Sequence, residues 1–151
     1  MRTFNSAADL ITSVGEELGV SDWLTIDQSR VNRFAEATDD YQWIHVDPAR
    51  AANGPYGGTI AHGFLTLSLI PALVGQIYEI PTATMRVNYG LDRVRFINPV
   101  RVGHRVRLAS TLTGVAEIPG GTQLTLKHLV EIEDVAKPAC VAEMIGRVHF
   151  A

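Results

Sequence analysis

The stretch "GFLTLSLIPALVG", Gly63 to Gly75, is the greasiest in the chain and limits every fold the rest can adopt. It is too short for a membrane span, which takes about 20 residues, and it carries Thr66, Ser68 and Pro71. A helix near 63–78 that is apolar on most sides must be covered by other parts of the protein. The cover lies downstream, where the hydrophobic period drops to two. "HRVRLASTLTGVAEI" sets Val106, Leu108 and Leu112 against Arg105, Arg107 and Thr111. "TQLTLKHLVEIED" sets Leu124, Leu126, Val130 and Ile132 against Gln123, Thr125, Lys127 and Glu131, and "PGG" at 119–121 turns one strand into the other. Residues 84–97 and 139–150 read as two further strands. One greasy helix followed by four long, half-buried strands indicates an α+β domain: an antiparallel sheet whose apolar face wraps around the helix.

The first half of the chain is shorter-grained. "SAADLITSVGEEL" places Leu10, Ile11, Val14 and Leu18 at helical spacing, which predicts a helix over 6–18. "DWLTI" is a short strand candidate. Thr25 precedes Gln28 by three, as in a capping box, and opens a helix through Thr38 with Val31, Phe34, Ala35 and Thr38 on one face. "DPARAANG" reads as a short helix with Asp47 as its cap, Pro48 in its first turn and Gly54 at its end. At 151 residues, 1–151 form a single domain, without repeats or a P-loop or Rossmann glycine pattern.

A net charge of −3 argues against a nucleic-acid coat, and a lone Cys140 rules out an internal disulfide or a Cys-based zinc site. The first twenty residues lack the apolar core and cleavage site of a signal peptide. The expectation is a soluble, cytoplasmic protein that contacts neither membrane nor nucleic acid.

Residues 38–48, "TDDYQWIHVDP", place three aspartates and a histidine in eleven positions. Asp40 and His45 lie five apart, a rotation of about 140° on a regular helix, so they converge only on irregular backbone. There a carboxylate and an imidazole can grip one water, an arrangement suited to general acid–base chemistry. Tyr41, Trp43 and Ile44 are candidate anchors of such a loop in the core. Spacing alone leaves a second reading open, a solvated loop whose aspartates cap the flanking helices. His62 reads as a capping or packing histidine, with direct proton transfer as the alternative. His104, His128 and His149, in or beside predicted strands without an acidic partner, are assigned to structure or surface.

"TDDYQWIHVDP" and "TIAHGFLTLSL" together resemble the MaoC-like dehydratases, the (R)-specific enoyl-CoA hydratases. That signature runs Gly-Asp-x-Asn-Pro-(apolar)-His-x-Asp-Pro, followed downstream by Ala-His-Gly. Asp40, Ile44, His45, Asp47, Pro48, Ala61, His62 and Gly63 fall on it in order, and "RFINPVRVGHRV" resembles the family's later strand. Asp39, Gln42 and Trp43 depart from it, standing at its Gly, Asn and Pro. The resemblance spans Thr25 to Val148.

It implies a hot-dog fold, a homodimer with active sites at the subunit interface, and neither metal nor redox cofactor. It implies reversible hydration of trans-2-enoyl thioesters to (3R)-hydroxyacyl thioesters, on CoA or an acyl carrier protein, in fatty-acid metabolism. Asp40 and His45 then hold the water, and the Gly63 backbone N–H faces the thioester oxygen. Ile60, Ala61, His62, Val87, Asn88, Tyr89, Ile97 and Asn98 then line the substrate. Two alternatives stand beside this. A hot-dog acyl-CoA thioesterase resembles its relatives in carrying an acid on the central helix, and residues 63–78 hold none. A non-catalytic partner subunit of a heterodimeric dehydratase has no need of both Asp40 and His45.

Arg86, Arg93, Arg95, Arg101, Arg105 and Arg107 are six of the thirteen basic residues, with only Asp92 opposing them locally. They read either as a phosphate-binding patch, with Arg93 and Arg95 on the CoA, or as the solvated face of the sheet.

Overall fold

A computed structural model describes residues 1–150. In chain order the elements are β1 (Arg2–Thr3), α1 (Ala7–Thr12), β2 (Glu17–Val20), β3 (Leu24–Thr25), α2 (Gln28–Thr38), α3 (Trp43–Val46) and α4 (Pro48–Ala51). Then follow α5 (Gly63–Ser68), α6 (Ile70–Val74), β4 (Tyr78–Glu79), β5 (Ala83–Phe96), β6 (Arg105–Ile118), β7 (Gly121–Ile132) and β8 (Cys140–Phe150).

The period-two segments form the four long strands. They make an antiparallel sheet in the order β2-β6-β7-β8-β5, with β3 also on the outer edge of β6. On β7 the residues Thr122, Leu124, Leu126, His128, Val130 and Ile132 are all buried, while those between them are not. Against this face pack Leu65, Leu69, Ile70, Leu73 and Val74 of the greasy segment. That segment is two helices joined at Leu69, which keeps helical dihedrals (φ −77°, ψ −20°). Pro71, with no N–H to give, interrupts the ladder there.

The cover is one-sided. Phe64 is 67% exposed, and Pro71 and Ala72 also face outward. β5 is the other open flank: a 14-residue edge strand with Met85, Val87, Tyr89, Leu91 and Phe96 exposed. A single chain therefore does not bury its central helix completely.

Several local expectations shift. Helix 6–18 stops at Thr12; Gly15 takes φ +93°, and the chain continues into strand β2, where Leu18 still reaches the core. Ile11 and Val14 are exposed, so only Leu10 of that stripe is buried in α1. The cap of α2 is Asp27, whose carboxylate accepts the Arg30 N–H at 2.7 Å, not Thr25. An aspartate directly before the first turn is simply better placed. Thr38 is exposed, leaving Val31 and Ala35 as the buried face of α2. The cap of α4 is Asp47, as its sequence predicts, accepting from the Arg50 N–H at 3.0 Å.

Candidate active site

α2 ends in Asp39, which adopts the left-handed region (φ 57°), and the chain turns out of the helix immediately before Asp40. His45 lies beyond this break, in the single turn of α3. The irregular backbone that convergence requires is present.

His45 is 6% exposed, and its Nδ1 lies 2.7 Å from the carbonyl oxygen of Ile60. A carbonyl only accepts, so Nδ1 carries the hydrogen and the Nε2 lone pair is left for chemistry. Burial holds the His45 pKa below its ordinary 6.5, opposed by the bond to Ile60. The neighbouring His62 lowers it further, while the Asp40 charge raises it. The imidazole is therefore neutral near pH 7. Its backbone is pinned as well: the Gln28 amide donates to the His45 carbonyl at 2.7 Å, and the Thr59 hydroxyl donates to Gln28 at 2.6 Å.

His62 is 2% exposed and stacks on His45 with ring centroids 3.8 Å apart and planes 23° apart. Its Nε2 donates to the backbone carbonyl of Asp40 at 2.9 Å and lies 4.0 Å from the Asp40 carboxylate. His62 thus packs the Asp40 loop onto His45, with Phe34 against its ring at 4.9 Å, and its side chain makes no cap hydrogen bond at the start of α5. One ligand-type atom from each of Asp40, His45 and His62 lies within 4.8 Å of the others, and the Asp40 carboxylate is half exposed.

His45 shares a cavity of about 330 Å³ with Ile60, Ala61, Gly63, Phe96, Ile97 and Asn98. Gly63 opens α5, so its N–H has no intrahelical acceptor. A Cβ on Gly63 would sit 2.8 Å from the Phe96 ring, so only glycine leaves this wall as it stands.

Other expected residues go elsewhere. Val87 and Asn88 line a second cavity of about 250 Å³, bounded by Pro71, Val74 and His128. Tyr89 lies beneath the Arg147 guanidinium, 3.3 Å from its ring centroid, on the outer face that Arg147 shares with Gln123. Arg93 is in register with Glu143 and, through it, with Lys127, which places it on the outer face too. Arg95 follows two residues on. Within one chain neither arginine reaches the His45 cavity.

Two of the six arginines of the electropositive patch are neutralised by ion pairs. Glu133 pairs with Arg105 and Glu131 with Arg107, both supplied by the neighbouring strand β7 or its end. The anchors also differ from expectation: Tyr41 is 55% exposed, while Trp43 packs against Gly54 and under Arg50. The support that Gln28, Thr59 and the Ile60 carbonyl give to His45 has no local signal in the sequence, because it rests on contacts 15 to 31 residues apart.

Residues 9–133 match the family described as "MaoC like domain". Over 148 residues the chain is 57% identical to "3-hydroxyacyl-thioester dehydratase Z" of Mycobacterium tuberculosis, covering 97% of this chain and 98% of that one. It is 48% identical over 149 residues to "Nodulation protein N" of Rhizobium leguminosarum bv. viciae, covering 96% and 92%. Among solved structures, the (R)-hydratase from A. caviae involved in PHA biosynthesis superposes with a TM-score of 0.73 at 26% identity, over 88% of this chain and 94% of that one.

Proposed function

The chain belongs to the MaoC-like domain family, and on that premise we propose that it is a hydro-lyase interconverting trans-2-enoyl and (3R)-hydroxyacyl thioesters. The observation that carries this reading is a pair of polar groups, His45 in the cavity wall and Asp40 beside it. A neutral imidazole with its Nδ1 hydrogen spent on Ile60 stands beside a carboxylate.

Hydration adds OH to C3 and H to C2. A water held between His45 Nε2 and the Asp40 carboxylate gives a proton to the dyad as its oxygen attacks C3. The electron pair of the double bond moves toward the thioester carbonyl, whose growing negative charge is met by the Gly63 N–H. C2 then takes the proton back from the dyad, and the carbonyl re-forms. Elimination runs the same steps in reverse. The addition is redox-neutral, so we propose that it proceeds without metal or redox cofactor. The ring nitrogens His45 Nδ1 and His62 Nε2 already serve as donors to carbonyls.

The carrier is a CoA or acyl-carrier thioester in this proposal. The working unit is a homodimer, because β5 presents a long unpaired edge beside the exposed Phe64. A reducing, cytoplasmic setting fits the one buried thiol, Cys140. The test is loss of enoyl absorbance with crotonyl-CoA, scored for product stereochemistry. A (3R) product is expected; hydrolysis to free CoA without hydration would support a thioesterase instead.

A further inference from the structure

The second cavity contains a polar group that the proposed reaction does not use. His128 on β7 is 1% exposed, yet it lies among aliphatic side chains on the inner face of the sheet, at the floor of the 250 Å³ space. Its only side-chain partner among the described residues is the hydroxyl of Ser110 on β6, 2.9 Å from Nδ1. Ser110 is fully buried and has no other side-chain hydrogen bond.

That isolation decides the tautomer. If Nδ1 carried the hydrogen, the Ser110 hydroxyl would accept it and its own hydrogen would be left buried without an acceptor, which is costly. If Ser110 donates to Nδ1, both groups are satisfied, and the imidazole hydrogen sits on Nε2. Burial pushes the His128 pKa down to about 4, so the ring is neutral near pH 7 and has one N–H to give. Among the described residues that N–H has no protein acceptor.

The second cavity shares no lining residue with the His45 cavity, but both lie along the greasy segment. Gly63 at the start of α5 lines the His45 cavity, and Pro71 and Val74 of α6 line the second, about 12 and 16 Å along at 1.5 Å per residue. An acyl chain with its thioester at Gly63 and its tail along these helices brings its far end here. Asn88 and Arg86 stand at the rim, with Arg86 5.0 Å from the ring centroid of Tyr78. A floor made only for an alkyl tail has no reason to hold an imidazole N–H.

Resting on the proposed hydratase reading, we infer that His128, positioned by Ser110, selects medium-length acyl chains bearing a hydrogen-bond-accepting oxygen, a hydroxyl or oxo group, near the distal end. A site built to hydrogen-bond such a group discriminates strongly against the analogue lacking it, because the donor is then left unpaired.

The experiment compares kcat/KM of the wild-type protein on three thioesters: crotonyl-CoA, trans-2-decenoyl-CoA and 10-hydroxy-trans-2-decenoyl-CoA. The hydroxylated chain is expected to exceed the plain one by roughly tenfold, the scale of one hydrogen bond. His128→Leu is expected to reverse that preference, and His128→Gln, which keeps a donor, to restore part of it. The wild-type ratio needs no variant to fold. Hydration of crotonyl-CoA without preference between the two longer chains overturns this inference and leaves the reaction standing. Hydration of none of the three overturns both. An unchanged ratio in a folded His128→Leu protein overturns the assignment to His128.

Discussion

An imidazole serves as a base only while neutral and aimed, and at His45 both conditions come from its surroundings. The Ile60 carbonyl fixes the tautomer, the stacked His62 fixes the plane, and burial keeps the proton off. Replacing Asp40 with Asn, or His45 with Gln, should each lower turnover by about 100-fold or more while circular dichroism stays native. Asp39→Gly should stay within about tenfold of wild type, because Asp39 caps α2 in the left-handed region, where glycine is at ease. Essentiality of Asp39 instead would move the acid by one residue. Because the folded pKa of His45 is lowered, kcat/KM should hold through neutral pH and fall only below 6.5. An acid limb centred above 6.5 would contradict that environment.

His128 makes a separate prediction about stability. Unfolded, it takes a proton near 6.5; folded, it resists until about 4. Acid therefore favours the unfolded chain: the contribution is complete above 6.5 and is lost as pH falls toward 4. Between pH 7 and 5 the wild type should lose on the order of 2 kcal/mol more than His128→Leu, read from denaturant melts at the two pH values. Equal losses would show that the ring is not held neutral.

Among the elements, the greasy helix pair does two jobs. Its inner side fills the sheet, and its first residue offers an N–H beside Phe96. A side chain at position 63 collides with ring carbons of Phe96, which is 45% exposed and free to swing aside. Gly63→Val should therefore fold but lose most activity, and adding Phe96→Ala should relieve the strain in melting temperature without returning the rate. Recovery of full activity in the double variant would separate the Gly63 backbone from the chemistry.

At the scale of the whole molecule, the exposed apolar residues gather at one flank: Phe64 on the helix, with Tyr89, Leu91 and Phe96 on β5. In sedimentation at micromolar concentration the protein should run at twice its 16.5 kDa chain mass. Tyr89→Lys with Leu91→Lys should shift it toward monomer and reduce activity in parallel. A fully active monomer would leave the open side of the helix unexplained.

The sequence by itself determined the parts that repeat or that sit close together. Alternation over 105–118 and 121–132 specified the strands and their buried face, because one side of a pleat must leave water. The apolar run specified the helix. The run from Asp40 to Pro48, with Ala61 to Gly63, pointed to the family. What only the tertiary structure decided are pairings between distant residues: Gln28 with Thr59, His45 with Ile60, Arg105 with Glu133, and Ser110 with His128. These partners leave no periodic trace along the chain. The sheet register and the turn at Asp39 bring them together, and a hydrogen bond depends on that final distance rather than on spacing in the sequence.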